Sequence, residues 1–551
     1  MAQDTLAREV RLAVSHSHKM VLPWLVALTL FAVVDAVEVG DFPKPEDYLY
    51  PGQANDAVSF SVSATLGSHM VLQRAPSSAV VWGFAPSGVE VTTTFNGATY
   101  TSKAGSDNVW RHHLMPTAAG GPYTITISAS TGETISLSDV LFGDVYICGG
   151  QSNMQFSIGG NVDAASYAKE ADNYPSIRLF TVGQKTSSKV PLTDLKTIEQ
   201  NWTSAGAKTV TDGSRFNYFS AVCWFFGKGI HDGLGGKVPI GLVSNNWGGT
   251  RVEQWMSPST SLPCGHASSG ELYNAMIVPY TVGPMAVTGF TWYQGESDIG
   301  GKAGLPDQNH NYTCTQAVQI TQWRREFRVP RAFYGIVQLS TWHADPILLA
   351  ELRDQQLATG DLVPSFAYAT NADYGAGGNI HPPYKHYPGA RLANAALAMV
   401  YHQAINWRSP TYSSAKATGL GEVTVWLNDV TDAGLTLKPP ANAKDEPDCV
   451  ALNAKVPRTC AWADLQFNDP KLSWVNASVA VGADKMTMVL TATPPIGATG
   501  IIGSSYGWGA VPMMTVYRAD MDGKDGQLPV LTWNRPLLAS AAGIGDRLVM
   551  V

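Results

Sequence analysis

Between about residue 141 and residue 417, apolar strand-like runs alternate with helix-like segments, and this alternation constrains the fold more than any other feature of the chain. The strand-like runs are LFGDVYICGG, VPIGLVSNNW, AVTGFTWYQG, RAFYGIVQLS and PSFAYATN. The segments between and after them include SAVCWFFGKGIHDGL, CTQAVQITQWRREFR and PGARLANAALAMVYHQAI. Because parallel strands need a long crossover connection, usually a helix, repeated βα units predict a mostly parallel sheet flanked by helices.

β-rich segments flank this α/β region on both sides. Residues 57–140 contain short runs with period-two alternation, such as SSAVVWGF and GPYTITIS, which predict an antiparallel N-terminal β-sandwich. The β pattern returns from residue 418 in EVTVWLNDV and KMTMVLTAT, which predicts a C-terminal β-module packed on the α/β unit. We therefore predict an α/β protein with folded domains at 57–140, 141–417 and 418–551.

Residues 1–36 have the features of a secretory signal peptide. An uncharged stretch of 15 residues, from Met20 to Val34, follows a lysine and precedes a cleavage position after Ala36. It is too short to span a bilayer comfortably; a signal anchor or a buried strand is the less favoured alternative. Three N-glycosylation sequons agree with export, at Asn201, Asn311 and Asn476. We expect a secreted or lysosomal protein without stable membrane association after signal cleavage.

The six cysteines fit an oxidising compartment. Cys449 and Cys460 flank a polar loop, which predicts a local disulfide. The next expected pair, in polar connections rich in Gly and Pro, is Cys264 with Cys314. Cys148 and Cys223 lie in apolar runs, so they either pair or remain free thiols in the core.

Charge and composition exclude several classes of protein. Lys and Arg number 37 and Asp and Glu 44, which gives a net charge of −7 and argues against a nucleic-acid or anionic-membrane binder. Only 15% of residues are charged and 45% are hydrophobic, the opposite of a disordered chain.

The first candidate catalytic residue is Ser152, which follows the strand LFGDVYIC in the segment GGQSNMQ. The two glycines permit a tight turn that exposes the serine hydroxyl and leaves its backbone N–H free to bind an anion. The alternative is an ordinary strand-to-helix turn with Ser152 as helix cap.

Two further strands of the predicted sheet end in polar segments. One segment runs from Asn245 to Thr250 and contains two glycines, and the other is QGESD, from Gln294 to Asp298. Because parallel strands present their carboxyl ends at one edge of a sheet, these segments could supply the donors of an oxyanion hole. The alternatives are a satisfied loop amide at Gln294 and a solvated or salt-bridged carboxylate at Glu296. Candidate substrate-binding residues in the three segments are Asn153, Arg251 and Glu296.

His381 is the candidate general base. It lies in the loop segment NIHPP, from which an imidazole could reach across the edge of the sheet toward Ser152. Other histidines have poorer claims: we place His16 and His18 in the presequence, His112 and His113 in the N-terminal sandwich and His386 at the surface.

Four segments resemble, in order and spacing, the blocks of the sialate O-acetylesterase family, a branch of the SGNH-hydrolase superfamily. They are GDVYICGGQSNMQF, GLVSNNWGGTRVEQW, LYNAMIVPYTVGPMAVTGFTWYQGESD and NIHPPYKHYPGARLA. The resemblance implies a three-layer α/β/α catalytic domain in which Ser152 is the nucleophile and His381 the base. It also implies an oxyanion hole made by the Ser152 N–H, a glycine of Gly248-Gly249, and Gln294.

The chain departs from this family pattern at one position. Many SGNH enzymes have an aspartate three residues before the catalytic histidine, where this chain has Gly378. Either Asp373, eight residues upstream of His381, folds back to complete a triad, or a backbone carbonyl orients the imidazole of a Ser-His dyad.

The resulting hypothesis is a serine esterase that hydrolyses O-acetyl esters of sialic acids through an acyl-enzyme and releases acetate. One alternative is an acetylesterase acting on another glycan such as xylan or pectin, and the other is a catalytically inactive glycan-binding protein. The mechanism requires no cofactor or metal, and no spaced set of metal ligands is evident in the sequence.

Overall fold

The computed structural model describes residues 58–258, 264, 269–299, 311–520 and 527–537. The predicted signal peptide, residues 1–36, lies outside these residues. Across the part of the chain that is described, no helix is both long and apolar enough to cross a membrane.

The N-terminal region consists of strands, and in several of them the side chains alternate between more buried and more exposed positions. Its strands are β1 (Ser61–Val62), β2 (Val71–Gln73), β3 (Val80–Phe84), β4 (Glu90–Phe95), β5 (Ala98–Lys103), β6 (Val109–His113), β7 (Gly120–Ala129) and β8 (Thr134–Gly150). Strands β1, β3 and β6 form one antiparallel sheet. A second antiparallel set has the order β5-β4-β7-β8. The period-two pattern therefore predicts the antiparallel pairing correctly.

A mostly parallel sheet occupies the centre of the molecule, as the βα alternation predicts. Its further strands are β9 (Ile177–Val182), β10 (Ile198–Ser204), β11 (Ile240–Asn246), β12 (Gly289–Tyr293), β13 (Phe333–Gln338) and β14 (Phe366–Thr370). The order across the sheet is β10-β9-β11-β8-β12-β13-β14, and only β10 runs antiparallel to its neighbour. Every residue of β9, β11, β12 and β13 is buried, which explains their continuous apolar sequence. The α/β class is confirmed.

Strand β8 belongs to both regions. Its first half pairs antiparallel with β7, and its second half, from Asp144 to Gly150, pairs in parallel with β11 and β12. The boundary expected between residues 140 and 141 therefore lies inside one strand of 17 residues. A change in sequence pattern marks a change of pairing partner here rather than the end of an element.

Helices connect the strands of the central sheet. They are α1 (Ser152–Gln155), α2 (Ala164–Glu170), α3 (Ala221–Gly233), α4 (Val278–Val282), α5 (Tyr312–Glu326), α6 (Pro346–Ala358) and α7 (His386–Met399). Helix α3 packs against α7, and α5 packs against α6. Side-chain caps start two of them: Ser220 accepts from an N–H of α3, and Asp345 accepts two from α6.

The C-terminal region has its own apolar cluster, in which Val423, Leu465, Leu490 and Trp533 are buried. Its elements are β15 (Thr411–Gly419), β16 (Glu422–Asn428), β17 (Leu435–Leu437), α8 (Cys449–Lys455), β18 (Cys460–Ala461), β19 (Ala463–Phe467), β20 (Trp474–Val481), β21 (Thr487–Thr491), β22 (Ile501–Tyr506), β23 (Val511–Pro512), β24 (Val516–Arg518) and β25 (Trp533–Pro536). Seven of the strands form one antiparallel sheet in the order β15-β16-β21-β20-β19-β22-β25.

All six cysteines are paired. The two predicted disulfides, Cys449–Cys460 and Cys264–Cys314, are present. The third joins Cys148 of β8 to Cys223 of α3, so the alternative of two free core thiols is wrong. Both sulfurs lie in apolar sequence because the bond itself is buried between the sheet and a helix.

Candidate active site

Ser152 lies at the carboxyl end of β8, where the chain turns sharply into α1. Gly150 adopts a φ of +137°, and a Cβ at this position would lie 2.2 Å from the carbonyl oxygen of Tyr293 in the neighbouring strand. Only glycine fits this turn. At this turn the chain leaves the sheet, and Ser152 is the first residue of α1. The backbone N–H of Ser152 therefore has no acceptor within the helix.

The structure brings Ser152 and His381 together although 229 residues separate them. His381 Nε2 lies 2.8 Å from Ser152 Oγ. The backbone N–H of His381 donates to Asn379 Oδ1 at 3.0 Å, and the ring of Phe216 packs edge-on against the imidazole with centroids 4.9 Å apart. This is the geometry in which an imidazole accepts the proton of a serine hydroxyl.

The surroundings of His381 favour its neutral form. Burial lowers the pKa of His381 to about 4, helped by the ammonium of Lys385 and the guanidinium of Arg215. Near neutral pH the ring is therefore uncharged and one of its nitrogens has a free lone pair. A general base needs this protonation state before the reaction begins.

Residues of the C-terminal region hold the loop that carries His381. Gly375 N–H donates to Asn442 Oδ1 at 2.8 Å, and Gly378 N–H donates to Glu446 Oε2 at 2.9 Å. The Asn442 amide also donates to the carbonyl of Ala372 at 2.7 Å. The histidine loop is therefore braced from outside the central sheet.

Asp373 does not orient His381, which corrects one of the two predicted arrangements. Its carboxylate oxygens accept from Arg391 Nη1 and Nη2 at 2.8 and 2.7 Å, in a pair that is buried. Arg391 attracts this carboxylate because it carries a full charge in the same apolar interior. Among the described residues, neither a carboxylate nor a backbone carbonyl hydrogen-bonds to Nδ1 of His381, so the second arrangement is not formed either.

Gln294 is fully buried and its amide group is already used. The amide nitrogen donates to Thr250 O at 3.0 Å, to Gln151 Oε1 at 3.2 Å and to Asp298 Oδ2, and the amide oxygen accepts from Tyr312. Its donors are engaged in this arrangement, and its role in the oxyanion hole stays a prediction. Gln294 ties together the segments that follow β8, β11 and β12.

The glycines after β11 approach the nucleophile closely. A Cβ on Gly248 would lie 3.2 Å from that of Ser152, so the backbone passes directly beside the serine. The N–H of Gly248 donates to Gln155 Oε1 at 2.9 Å, so of the two glycines predicted as possible oxyanion donors this one is already engaged. Gly249 is exposed, has a φ of +75°, and its N–H has no acceptor in the described structure.

Asn153 and Glu296 lie beneath the Ser-His pair, not on the surface that a substrate would meet. Asn153 is 0% and Glu296 5% exposed, and Asn153 Nδ2 donates to Glu296 Oε1. Their predicted role in substrate binding stays a prediction. Arg251 precedes a 3₁₀ turn. Burial raises the pKa of Asp298 well above its usual value, and the charge of Arg251 opposes that shift. The role of Arg251 in substrate binding stays a prediction.

Sequence reasoning missed Lys385 and misplaced His386. Lys385 is fully buried next to Asn153, and His386 is 7% exposed at the start of α7, not at the surface. The helix-like segment PGARLANAALAMVYHQAI begins at Pro388, whereas α7 begins at His386, and nothing in the residue types indicates that its first side chains point inward.

Comparisons with known proteins identify the family of the chain. A family described as "Carbohydrate esterase, sialic acid-specific acetylesterase" matches residues 142–397. Sialate O-acetylesterase from Rattus norvegicus is 32% identical over 413 residues, which cover 62% of this chain and 74% of the rat protein. The Homo sapiens sialate O-acetylesterase is 34% identical over 315 residues, 52% of this chain and 58% of the human protein.

A solved structure with the same fold is a carbohydrate acetylesterase from Xanthomonas citri. It superimposes with a TM-score of 0.70 at 26% sequence identity, covering 86% of this chain and 99% of that protein. The likeness therefore extends beyond the α/β region to most of the described molecule.

Proposed function

This chain belongs to the sialate O-acetylesterase family, and from that premise we propose that it is a serine esterase that removes O-acetyl groups from sialic acids. The observation that carries the proposal is the 2.8 Å contact between Ser152 Oγ and a neutral His381 at the carboxyl edge of the parallel sheet. Ligands of open α/β sheets bind at this edge.

The reaction would proceed in two acyl-transfer steps. Ser152 Oγ attacks the acetyl carbonyl carbon while His381 Nε2 takes the hydroxyl proton, and the resulting imidazolium returns that proton to the departing sugar oxygen. Water, deprotonated by His381, then attacks the acetyl-serine; Ser152 regains a proton and acetate leaves. The backbone N–H groups of Ser152 and Gly249, neither of which has an acceptor among the residues that the structure describes, would bind the oxyanion.

A second candidate substrate class is another acetylated glycan, such as xylan or pectin. The observation in its favour is the likeness to a carbohydrate acetylesterase from Xanthomonas citri over 86% of this chain. The Ser-His pair acts on the acetyl group and does not distinguish one sugar from another, so substrate choice is a matter for the surrounding loops.

Assays on the purified protein separate these candidates. Acetate release from 9-O-acetylated sialic acid, at a kcat/KM well above that for acetylated xylan or pectin, supports the sialate activity, and the reverse order supports the alternative. Binding of either glycan without acetate release would identify a catalytically inactive glycan-binding protein. Ser152→Ala is the matched control for contaminating esterases.

We also propose an SGNH-type three-layer α/β/α domain over residues 141–417, flanked by a β-sandwich at 57–140 and a β-module at 418–551. The parallel sheet with its helices, and the antiparallel sheets before and after it, support this division. Secretion or lysosomal delivery after cleavage of residues 1–36 remains part of the proposal, supported by three disulfides and the three sequons. N-terminal sequencing and deglycosylation of protein from its host would test it.

A further inference from the structure

A buried ammonium group lies beneath the Ser-His pair and has no role in the reaction described above. Lys385 is 0% exposed, and its Nζ lies 4.8 Å from the ring centroid of Phe156 and 5.3 Å from that of Tyr293. In the described structure, the hydrogen bond of this ammonium goes to Asn153 Oδ1. Burying a lysine with one hydrogen-bond partner is costly, so its presence beside a catalytic pair calls for a function.

Asn153 connects this ammonium to both reacting residues. It follows Ser152 directly, and its Nδ2 donates at 2.8 Å to the carbonyl of Ile380, the residue before His381. The same Nδ2 donates to Oε1 of Glu296. One buried amide therefore connects the turn that carries Ser152, the loop that carries His381, and the segment that follows β12.

We propose that Asn153, Lys385 and Glu296, which we call the amide bridge, are positioning residues that hold Ser152 and His381 at reacting distance in place of a third catalytic carboxylate. The inference rests on the esterase function proposed above. The two charged groups fix the direction of the amide, because a flipped Asn153 would turn its NH₂ toward the ammonium and its oxygen toward the carboxylate. In this orientation, Asn153 Nδ2 donates to the carbonyl of Ile380 and holds the loop that carries His381 in place.

The amide bridge also affects the pKa of His381, because it contains one of the charged groups that act on the imidazole. The charged groups that act on the imidazole are Lys385, at the start of α7, and Arg215, on the loop before α3. Burial lowers the pKa of Lys385 to about 7, whereas Glu296 opposes that shift. Removing the ammonium should therefore raise the pKa of His381, and removing the carboxylate should not.

The test compares Lys385→Met and Glu296→Gln in the full chain, with Lys228→Met as the control. Lys228 is a partly buried lysine whose Nζ lies 5.2 Å from the ring centroid of Tyr174. Its ammonium pairs with Glu170 and Asp232 rather than with residues of the site. We expect kcat for the two bridge variants to fall about 10–100-fold with KM little changed, because displaced reacting groups lose rate rather than substrate affinity. Lys228→Met should keep the wild-type kcat.

The pH dependence separates positioning from general loss of structure. In Lys385→Met, the acid limb of kcat/KM should move up from about pH 4 toward the usual histidine value of 6.5, whereas Glu296→Gln should leave it at or below the wild-type position. Wild-type kcat and an unmoved acid limb in both variants would overturn the inference. If Lys385→Met does not fold, Glu296→Gln, which is isosteric, decides the matter through kcat.

A measurement without turnover keeps this inference distinguishable from the esterase proposal. NMR titration of the His381 ring in Ser152→Ala, with and without Lys385→Met, reports the pKa of the imidazole directly. If the wild type hydrolyses no acetyl ester but Lys385→Met raises this pKa, the proposed function fails and the bridge stands. If the wild type is active and Lys385→Met leaves both pKa and kcat unchanged, only the bridge fails.

Discussion

Two buried charge clusters lie near His381, and their hydrogen bonding differs sharply. In the first, Arg391 donates all five of its guanidinium hydrogens, to Asp373, to Thr370 O and to Gln527 O. In the second, the amide bridge, Lys385 and Glu296 form no salt bridge with each other, and Glu296 Oε2 is buried without a hydrogen-bond partner among the described residues. A fully satisfied cluster stabilises a fold, whereas an incompletely satisfied one beside reacting atoms is typical of a functional site.

The difference assigns separate tasks to the two clusters. The Arg391–Asp373 pair joins α7 to the C-terminal region, since Gln527 and Tyr517 both contact it. The amide bridge contacts the residues next to Ser152 and His381. We therefore expect variants of the first cluster to change stability and variants around the second to change turnover.

The largest expected effect is the loss of activity in Ser152→Ala. Removal of the nucleophile should lower kcat/KM by about 10⁴-fold or more, because the members of a catalytic unit act together. The melting temperature should stay at the wild-type value, since only one hydroxyl is lost from a half-buried position. Ser130→Ala, on the exposed turn between β7 and β8, is the control and should remain fully active. Near-wild-type turnover in Ser152→Ala would remove the site assignment altogether.

Asp373→Asn should show the opposite behaviour. Breaking a buried ion pair by removing one charge costs about 3–5 kcal/mol of unfolding free energy, because Arg391 is left charged in an apolar interior. Turnover per folded molecule should change little, since Asp373 does not contact His381. Denaturant unfolding and kcat measured on the same sample check both halves. Asp107→Asn breaks a surface pair with Arg111 and should cost at most about 1 kcal/mol.

If Asp373→Asn lowered turnover and left stability unchanged, the two clusters would not have separate tasks. A stable variant with turnover reduced by about 10³–10⁴-fold would mean that Asp373 acts on the imidazole during the reaction.

The wild-type pH profile tests the charge environment of the reacting pair. His381 must be neutral to accept the serine proton, so kcat/KM should fall about tenfold per pH unit below a pKa of about 4. The sign follows from burial and two neighbouring positive charges, which all disfavour the imidazolium. An acid limb near pH 6.5 would show that neither burial nor the charges of Lys385 and Arg215 shift the pKa of His381.

The sequence predicts the reacting pair better than it predicts the residues around it. Ser152 follows a buried strand and a glycine turn, and His381 stands in a polar loop of the same region, so local pattern suffices for both. The partner of Asp373 is Arg391, which lies 18 residues away on a helix, and no local pattern distinguishes that pairing from a pairing with His381. Lys385 gives no signal because its burial depends on the packing of Phe156 and Tyr293 from two other segments.

In the fold, too, the sequence predicts local elements but not the contacts between distant segments. The βα alternation correctly predicts the parallel sheet, and period-two runs predict the antiparallel strands around it. The dual pairing of β8 and the Cys148–Cys223 disulfide are not visible in the sequence, because both depend on partners brought near by the rest of the fold.

Tyr517→Phe is the smallest and most selective test of the structural cluster. The hydroxyl of Tyr517 donates to Asp373 Oδ2 over 3.4 Å, a long bond to an oxygen that Arg391 already engages at 2.7 Å. Since the carboxylate stays satisfied after the hydroxyl is removed, we expect a loss of about 0.5–1 kcal/mol in unfolding free energy and no change in the acid limb of kcat/KM. Urea unfolding and the pH profile measure the two quantities. A raised acid limb in Tyr517→Phe would mean that the charge of Asp373 is felt at His381, because this variant leaves the ion pair intact and changes only the field around the carboxylate. Both clusters would then influence the pKa of His381, and their tasks would not be separate.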